Sequence, residues 1–160
     1  MIWNISGYDV LVDTEDYDRL KGYNYFVNKP IAKKHDRFYF IRNFYVDGRR
    51  TITSLHRDIM GCVMGDDRIV DHISGNTLDN RRCNLRLCTN TENCRNSRIN
   101  RSNTSGVKGV YWHKASNKWM ARINYNGSII YLGTFADIND AATAYAEASK
   151  KYHGEFGRIK

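Results

Sequence analysis

The chain has 160 residues, a net charge of +8, 41% hydrophobic and 12% aromatic residues, and a single proline. That composition is too apolar for a disordered chain, no apolar run approaches the roughly 18 residues needed to cross a bilayer, and the length allows one ordinary domain or two small ones. The opening residues, MIWNISGYDV, lack a basic leader and a long apolar stretch, so no secretion signal is read. A cytoplasmic setting is expected, with Cys62, Cys83, Cys88 and Cys94 reduced, and since no two of them form a CxxC pair, structural zinc is not expected. Charge is uneven along the chain: residues 1–94 carry 14 Lys and Arg against 13 Asp and Glu, residues 95–160 carry 11 against 4. Clustered cations favour a polyanion through phosphate contacts and counterion release; a solubilising surface is the plainer alternative.

In chain order, "DVLVDTEDYDRLKGYNYFV" (9–27) predicts a strand, a short acidic helix and another strand. "FYFIRNFYVDGRRTITSL" (38–55) predicts a hairpin about Asp47-Gly48, and "SLHRDIMG" (54–61) a short helix ending at Gly61. His56 reads as a packed histidine, with phosphate contact as the alternative. Lys33, Lys34, Arg49 and Arg50 read as exposed charges that could also reach a phosphate backbone.

"IVDHISGN" (69–76) brings an apolar run into a turn through an adjacent Asp and His. Downstream lie Asn84, a short strand at Leu85–Cys88 and a helix from Asn90, with Thr89 and Glu92 spaced as a capping box. Strand, loop, strand, helix is compact enough to gather Asp71, His72 and Asn93. The cysteines read as structural, Cys88 on the strand, Cys94 on the helix and Cys83 in the loop. The segment at about 68–98 resembles the ββα-metal motif of HNH nucleases of the phage and intron homing type, with Asn93 where many members have the last His. The resemblance implies that Asp71 and Asn93 hold one divalent cation, magnesium or manganese, that His72 is the general base, and that Asn84 braces the loop so that His72 is correctly aimed. Relatives usually read D-H-I-D-G-N; Ser74 replaces the second Asp here.

"RNSRINRSNTSG" (95–106) is polar and basic, and is expected to be a linker or a groove-following arm between a nuclease domain at 1–94 and a second domain at 107–160. In "GVYWHKASNKWMARINYNGSIIYLGTF" (109–135), three alternating runs with Asn126-Gly127 at a type I′ turn predict a three-stranded antiparallel sheet. Alternation puts Val110, Trp112, Trp119, Ala121, Ile123, Ile130 and Leu132 on one face, and Tyr111, His113, Lys118, Met120, Arg122, Asn124 and Tyr131 on the other. "DINDAATAYAEASKKYHG" (137–154) predicts the covering helix, with Asp137 and Asp140 as a capping box, a stripe of Ile138, Ala141, Ala142, Tyr145 and Ala148, and Gly154 as terminator. The G-V, K-W-x-A-x-I, Y-L-G-T-F, A-A-x-A-Y and H-G-E landmarks resemble the plant ethylene-response-factor (APETALA-type) DNA-binding domain, whose sheet lies in the major groove. That resemblance implies DNA contacts for Lys108, Tyr111, His113, Lys118, Arg122, Asn124 and Tyr131, although several of these positions are Arg or Trp in plant members.

An α+β protein is therefore expected: β-hairpins and a ββα-metal motif, then a small three-stranded sheet on one helix. The implied activity is site-specific hydrolysis of double-stranded DNA, with nicking the simplest outcome for one site in a monomer; a dimer stays open. The rivals are a non-catalytic DNA-binding regulator on a degenerate nuclease fold, for which Ser74 speaks, and an RNA-directed module.

Overall fold

The computed structural model describes residues 1–28 and 38–159. Lys33 and Lys34 lie outside the described residues. About 27% of the described residues are helical and 36% are in strands, the strands in small antiparallel sheets, which makes the fold α+β. The chain divides into two compact units, Met1–Asn90 and Thr91–Lys160.

In the first unit, β1 (Ile2–Ile5) and β2 (Tyr8–Leu11) form a hairpin that turns through Ser6 and Gly7, both at positive φ. β1 is a four-residue run without clear alternation and is not legible in the sequence. The short acidic helix is α1 (Thr14–Leu20). It is followed by β3 (Phe26–Asn28), β4 (Tyr39–Val46) and β5 (Arg49–Ser54), ordered β3-β4-β5, with Asp47 and Gly48 at positive φ in the expected turn. α2 (Leu55–Ile59) leads to β6 (Ile69–His72), which pairs with β7 (Leu85–Cys88). The core includes Val10, Val12, Leu20, Phe40, Leu55 and Ile59, each at most 2% exposed. Burial of such side chains stabilises the unit by about 1.5–3 kcal/mol each.

Ion pairs on largely buried carboxylates join these elements. Arg82, in a 3₁₀ turn before β7, donates to both oxygens of Asp16 on α1 at 2.8 Å, and Arg19 adds a bond of 2.6 Å. Burial alone would raise the Asp16 carboxyl, but Arg82 and Arg19 outweigh it and hold it below the ordinary value. Asp58 on α2 likewise accepts from Tyr25, Arg42 and Thr53.

α3 (Asn90–Arg95) starts at the residue expected, and most of it falls in the second unit. There β8 (Val110–His113), β9 (Lys118–Tyr125) and β10 (Ser128–Phe135) form a sheet ordered β10-β9-β8, covered by α4 (Ile138–His153). Ala141, Tyr145 and Ala148 of α4 bury against Val110, Ala121 and Ile123. Gly109 makes this approach possible: it sits at φ +72, and an added Cβ would fall 2.2 Å from the Tyr145 ring. Asp137 caps α4 by accepting from Asn139 N–H at 2.6 Å, so the cap bond goes to the second helical residue rather than to Asp140. Gly154 ends the helix at φ 56. Trp112 departs from expectation. It shares the face of Trp119, with ring centroids 5.0 Å apart, yet is 40% exposed and outside the core, because alternation fixes a face but not how far the helix covers it. Cys88 is buried, whereas Cys83 and Cys94 are exposed and so are not packing residues. No helix among the described residues is long and apolar enough to cross a membrane.

Candidate functional site

Asp71 and His72 end β6 and are 8% and 5% exposed. The antiparallel register sets Asp71 opposite Arg86 and His72 opposite Leu85. Arg86 donates from Nε and a terminal nitrogen to Asp71 Oδ2 at 3.0 and 2.9 Å, and both side chains are close to nine-tenths buried. This is a charge-assisted pair in low dielectric. Arg86 was not singled out in the sequence.

The loop after β6 is a run of turns capped by its own side chains. Ser74 Oγ accepts Asn76 N–H and Asn76 Oδ1 accepts Leu78 N–H, both at 3.1 Å. Asp79 takes the Arg81 guanidinium through both oxygens at 2.8 Å. Arg81 in turn holds the Asp79 carboxyl below its usual range. Asn84 spans the loop: Oδ1 accepts Ser74 N–H at 2.9 Å, Nδ2 donates to the Asp79 carbonyl at 2.7 Å, and its own carbonyl accepts Ile73 N–H at 2.8 Å. Ser74 thus supplies with a hydroxyl a turn bond that a carboxylate could make there.

One side chain bonded to His72 is that of Asn80, 2% exposed and also not foreseen. Asn80 Nδ2 donates to the Thr77 carbonyl at 3.0 Å, which turns Oδ1 toward His72 Nε2 at 3.2 Å. With the amide oriented so, Nε2 carries the proton and Nδ1 is the basic ring nitrogen. β2 fixes Asn80 in turn, since Asn80 N–H donates to the Leu11 carbonyl and Leu11 N–H to the Leu78 carbonyl, each at 2.8 Å. His56 on α2 packs its ring 5.2 Å from that of His72, and Tyr39 lies 5.5 and 6.4 Å from the two. Burial, then the neighbouring His72 and Arg57, push the His56 imidazole down to about 3, so it is neutral at physiological pH.

Asp71, His72 and Asn84 all lie in the first unit, whereas Asn93 is on α3 in the part assigned to the second. Among the described residues no three His, Cys, Asp or Glu side chains cluster as a metal cage. One carboxylate from Asp71 with an amide oxygen suits a hard cation such as magnesium, which keeps several waters and takes phosphate oxygens. Arg86 shares that carboxylate.

In the second unit, the outward face of the sheet gathers most of the residues expected to contact DNA. Cross-strand pairs are His113 with Lys118, Tyr111 with Met120, and Arg122 with Tyr131. Arg122 lies over the Tyr111 ring at 4.7 Å, Tyr111 Oη donates to Met120 Sδ, and Tyr131 Oη bonds Thr134 Oγ1. Lys118, Arg122, Asn124 and Tyr131 are exposed, and His113 Nδ1 bonds Ser116 Oγ at 2.8 Å. Lys108 is placed differently: its Nζ donates to the carbonyls of Arg95 and Ser97 at 2.8 Å, and burial pushes its ammonium below the usual value. It closes the end of α3 instead of facing outward with the sheet.

Residues 105–155 match the family model described as AP2 domain, and residues 64–95 match that described as HNH endonuclease. A stretch of 91 residues, 57% of the chain, is 32% identical to Protein 3.8 of Escherichia phage T7 and covers 74% of that protein. The chain belongs to that phage protein's family. It joins an HNH endonuclease segment to an AP2 domain. No solved structure matches it. The HNH segment contains Asp71, His72, Asn80, Asn84 and Arg86, and the AP2 domain contains the whole outward sheet face. Both modules point to DNA as the partner and the HNH segment to nuclease chemistry, for which a divalent metal is the general requirement.

Proposed function

We propose that this chain is a metal-dependent, site-specific DNA endonuclease of homing type, acting in the cytoplasm of a bacterial or phage-infected cell. In this reading a nuclease domain at 1–94 is delivered to duplex DNA through a basic linker at 95–106 and a reading domain at 107–160. The observation that carries it is the buried His72, bonded through Nε2 to an amide that is itself pinned, beside Asp71 on the same strand.

His72 Nδ1 accepts the proton of the attacking water, and Asn80 keeps the ring in the tautomer that can do so. Asn84 holds the loop ends together, so the imidazole does not drift as DNA enters. Burial around His72, Tyr39 and His56 limits competing water. Asp71 and Asn93 are the residues that would hold one divalent ion, magnesium or manganese, which when bound neutralises charge developing on the phosphate and stabilises the leaving oxygen. The reading domain binds by Tyr111, His113, Lys118, Arg122, Asn124 and Tyr131, with Lys108 supporting the fold behind them. Modest affinities of the two domains sum through the tether. With one site per chain, a monomer nicks one strand.

A non-catalytic regulator is favoured by one observation, the Arg86 guanidinium on the Asp71 carboxylate. Supercoiled plasmid carrying a bound site discriminates. For the nuclease, relaxation appears with magnesium, vanishes with EDTA, and falls about 10²–10⁴-fold in His72→Ala. DNA binding with no relaxation in magnesium or manganese would establish the regulator.

A further inference from the structure

We propose that Lys108 is a positioning residue for the divalent ion: it clamps the C-terminal end of α3, the helix that carries Asn93, to the reading domain. This rests on the nuclease reading above, in which Asp71 and Asn93 share the ion. It adds that one of the two ligands is held by the domain that reads DNA.

α3 does not hold itself. It is six residues long, about half the length at which an isolated helix becomes marginally stable, and none of its residues is buried, so apolar packing does not fix it. The last carbonyls of a helix lack intrahelical donors, and the bonds that close this end are long: Asn96 N–H to the Glu92 carbonyl at 3.3 Å and Ser97 N–H to the Cys94 carbonyl at 3.2 Å. Asn93 lies in that last turn. A frayed end would carry its amide through a range of positions, whereas a metal ligand has to stay within about 0.5 Å of one.

Lys108 supplies a fastening from within the second unit. Its Nζ donates to the Arg95 and Ser97 carbonyls, each at 2.8 Å, which puts a positive charge at the helix end where the macrodipole is negative. The backbone beneath that ammonium is itself fixed. Arg122 N–H on β9 donates to the Gly109 carbonyl at 2.9 Å, and Ser105 Oγ donates to the Val107 and Val110 carbonyls at 3.0 and 2.7 Å. A second tie holds the same end: the Arg95 guanidinium lies 5.5 Å from the centre of the Tyr125 ring, which packs 5.2 Å from Tyr152 of α4. The chain between folds back through side-chain turns, Asn100 Oδ1 accepting Ser102 N–H at 3.0 Å and Asn103 Oδ1 accepting Gly106 N–H at 2.7 Å. The stretch from Arg95 to Lys108 is thus closed on itself, and the end of α3 moves with the strand that carries Arg122 and Asn124. A lysine suits the place because its three donors serve two carbonyls at once, which an uncharged side chain of similar length such as methionine does not.

The test measures manganese affinity, from the electron paramagnetic resonance of the free ion, for the full chain on a duplex that the wild-type protein selects from a randomised pool. Every variant carries His72→Ala, so that the DNA stays whole. Asp71→Ala and Asn93→Ala should each weaken binding of the ion. Lys108→Met should weaken it about tenfold, Lys108→Arg should restore it, and Lys108→Met added to Asn93→Ala should change nothing further, with DNA affinity within about twofold throughout. Faster amide exchange in α3, with α4 unchanged, should accompany the loss. Tyr125→Leu removes the ring beneath Arg95 and should act in the same sense by about twofold, which keeps the test open where Lys108→Met does not fold. Unchanged manganese affinity in Lys108→Met, an effect that persists in full without Asn93, or a loss of DNA affinity as large as that of the ion would each overturn the proposal. An ion indifferent to Asp71→Ala sinks the nuclease reading together with this one; an ion that needs Asp71 and Asn93 but not Lys108 sinks this one alone.

Discussion

The two units bury different things. Beside its apolar core the first places Asp16, Asp71, His72, Thr77, Asp79, Asn80 and Asn84 out of solvent, tied by hydrogen bonds and ion pairs; the second buries chiefly Val110, Ala121, Ile123, Ala141, Tyr145 and Ala148, with Asn96, Ser149 and His153 its buried polar residues, and displays the polar side chains of its sheet on an open face. Chemistry requires a side chain held in one orientation and tautomer, which a bonded interior provides. Reading DNA requires polar groups that water can leave and bases can replace, which an exposed face over a close-packed core provides.

The strongest way to break this contrast is to spoil the apolar packing. Gly109→Ala should cost about 3 kcal/mol or more, through positive φ and overlap with Tyr145, and should abolish DNA binding; a melt within a degree of wild type would show that the helix does not depend on that approach. Asn80→Ala comes next. It should lose about 2 kcal/mol from unpaired buried groups, and relaxation of plasmid should fall further than that stability loss explains; ¹⁵N spectra of the His72 ring should show a changed tautomer mixture. An unchanged tautomer would remove Asn80 from any positioning role.

Acid sharpens the contrast further. The folded His56 titrates far below an unfolded histidine, so its contribution to stability is complete above about pH 6.5 and is lost as pH falls from there toward 3. Asp16, depressed by its arginines, keeps its contribution above its unfolded value and loses it only at still lower pH. Urea melts at pH 7 and pH 5 should therefore show a smaller loss for His56→Gln than for wild type. The smallest effect concerns the open face. Arg122→Ala should weaken DNA binding and lower the salt slope by about 1, with no change in melting temperature.

Much of the fold could be read from residues because turns and alternation are local. Asn126-Gly127 and Asp47-Gly48 each demanded positive φ, and both hairpins formed there. The partners of the expected site were beyond local reading. Asn80 faces His72 because the loop crosses β2, a contact made from Leu11, sixty-nine positions upstream. Arg86 meets Asp71 only through the β6–β7 register, which a loop of that length leaves open, and His56 arrives from a separate helix. Lys108 shows the converse: the family resemblance implied a DNA contact for it, and its bonds to the Arg95 and Ser97 carbonyls come from chain segments that no local pattern joins.

The pairing of Leu11 with Leu78 and Asn80 has a consequence for synthesis. The β1–β2 hairpin leaves the ribosome well before the loop near residue 80 and must wait for it before either is complete. A chain stalled or clipped in between would carry no oriented imidazole, so the proposed cleavage would be deferred until the whole unit has been made.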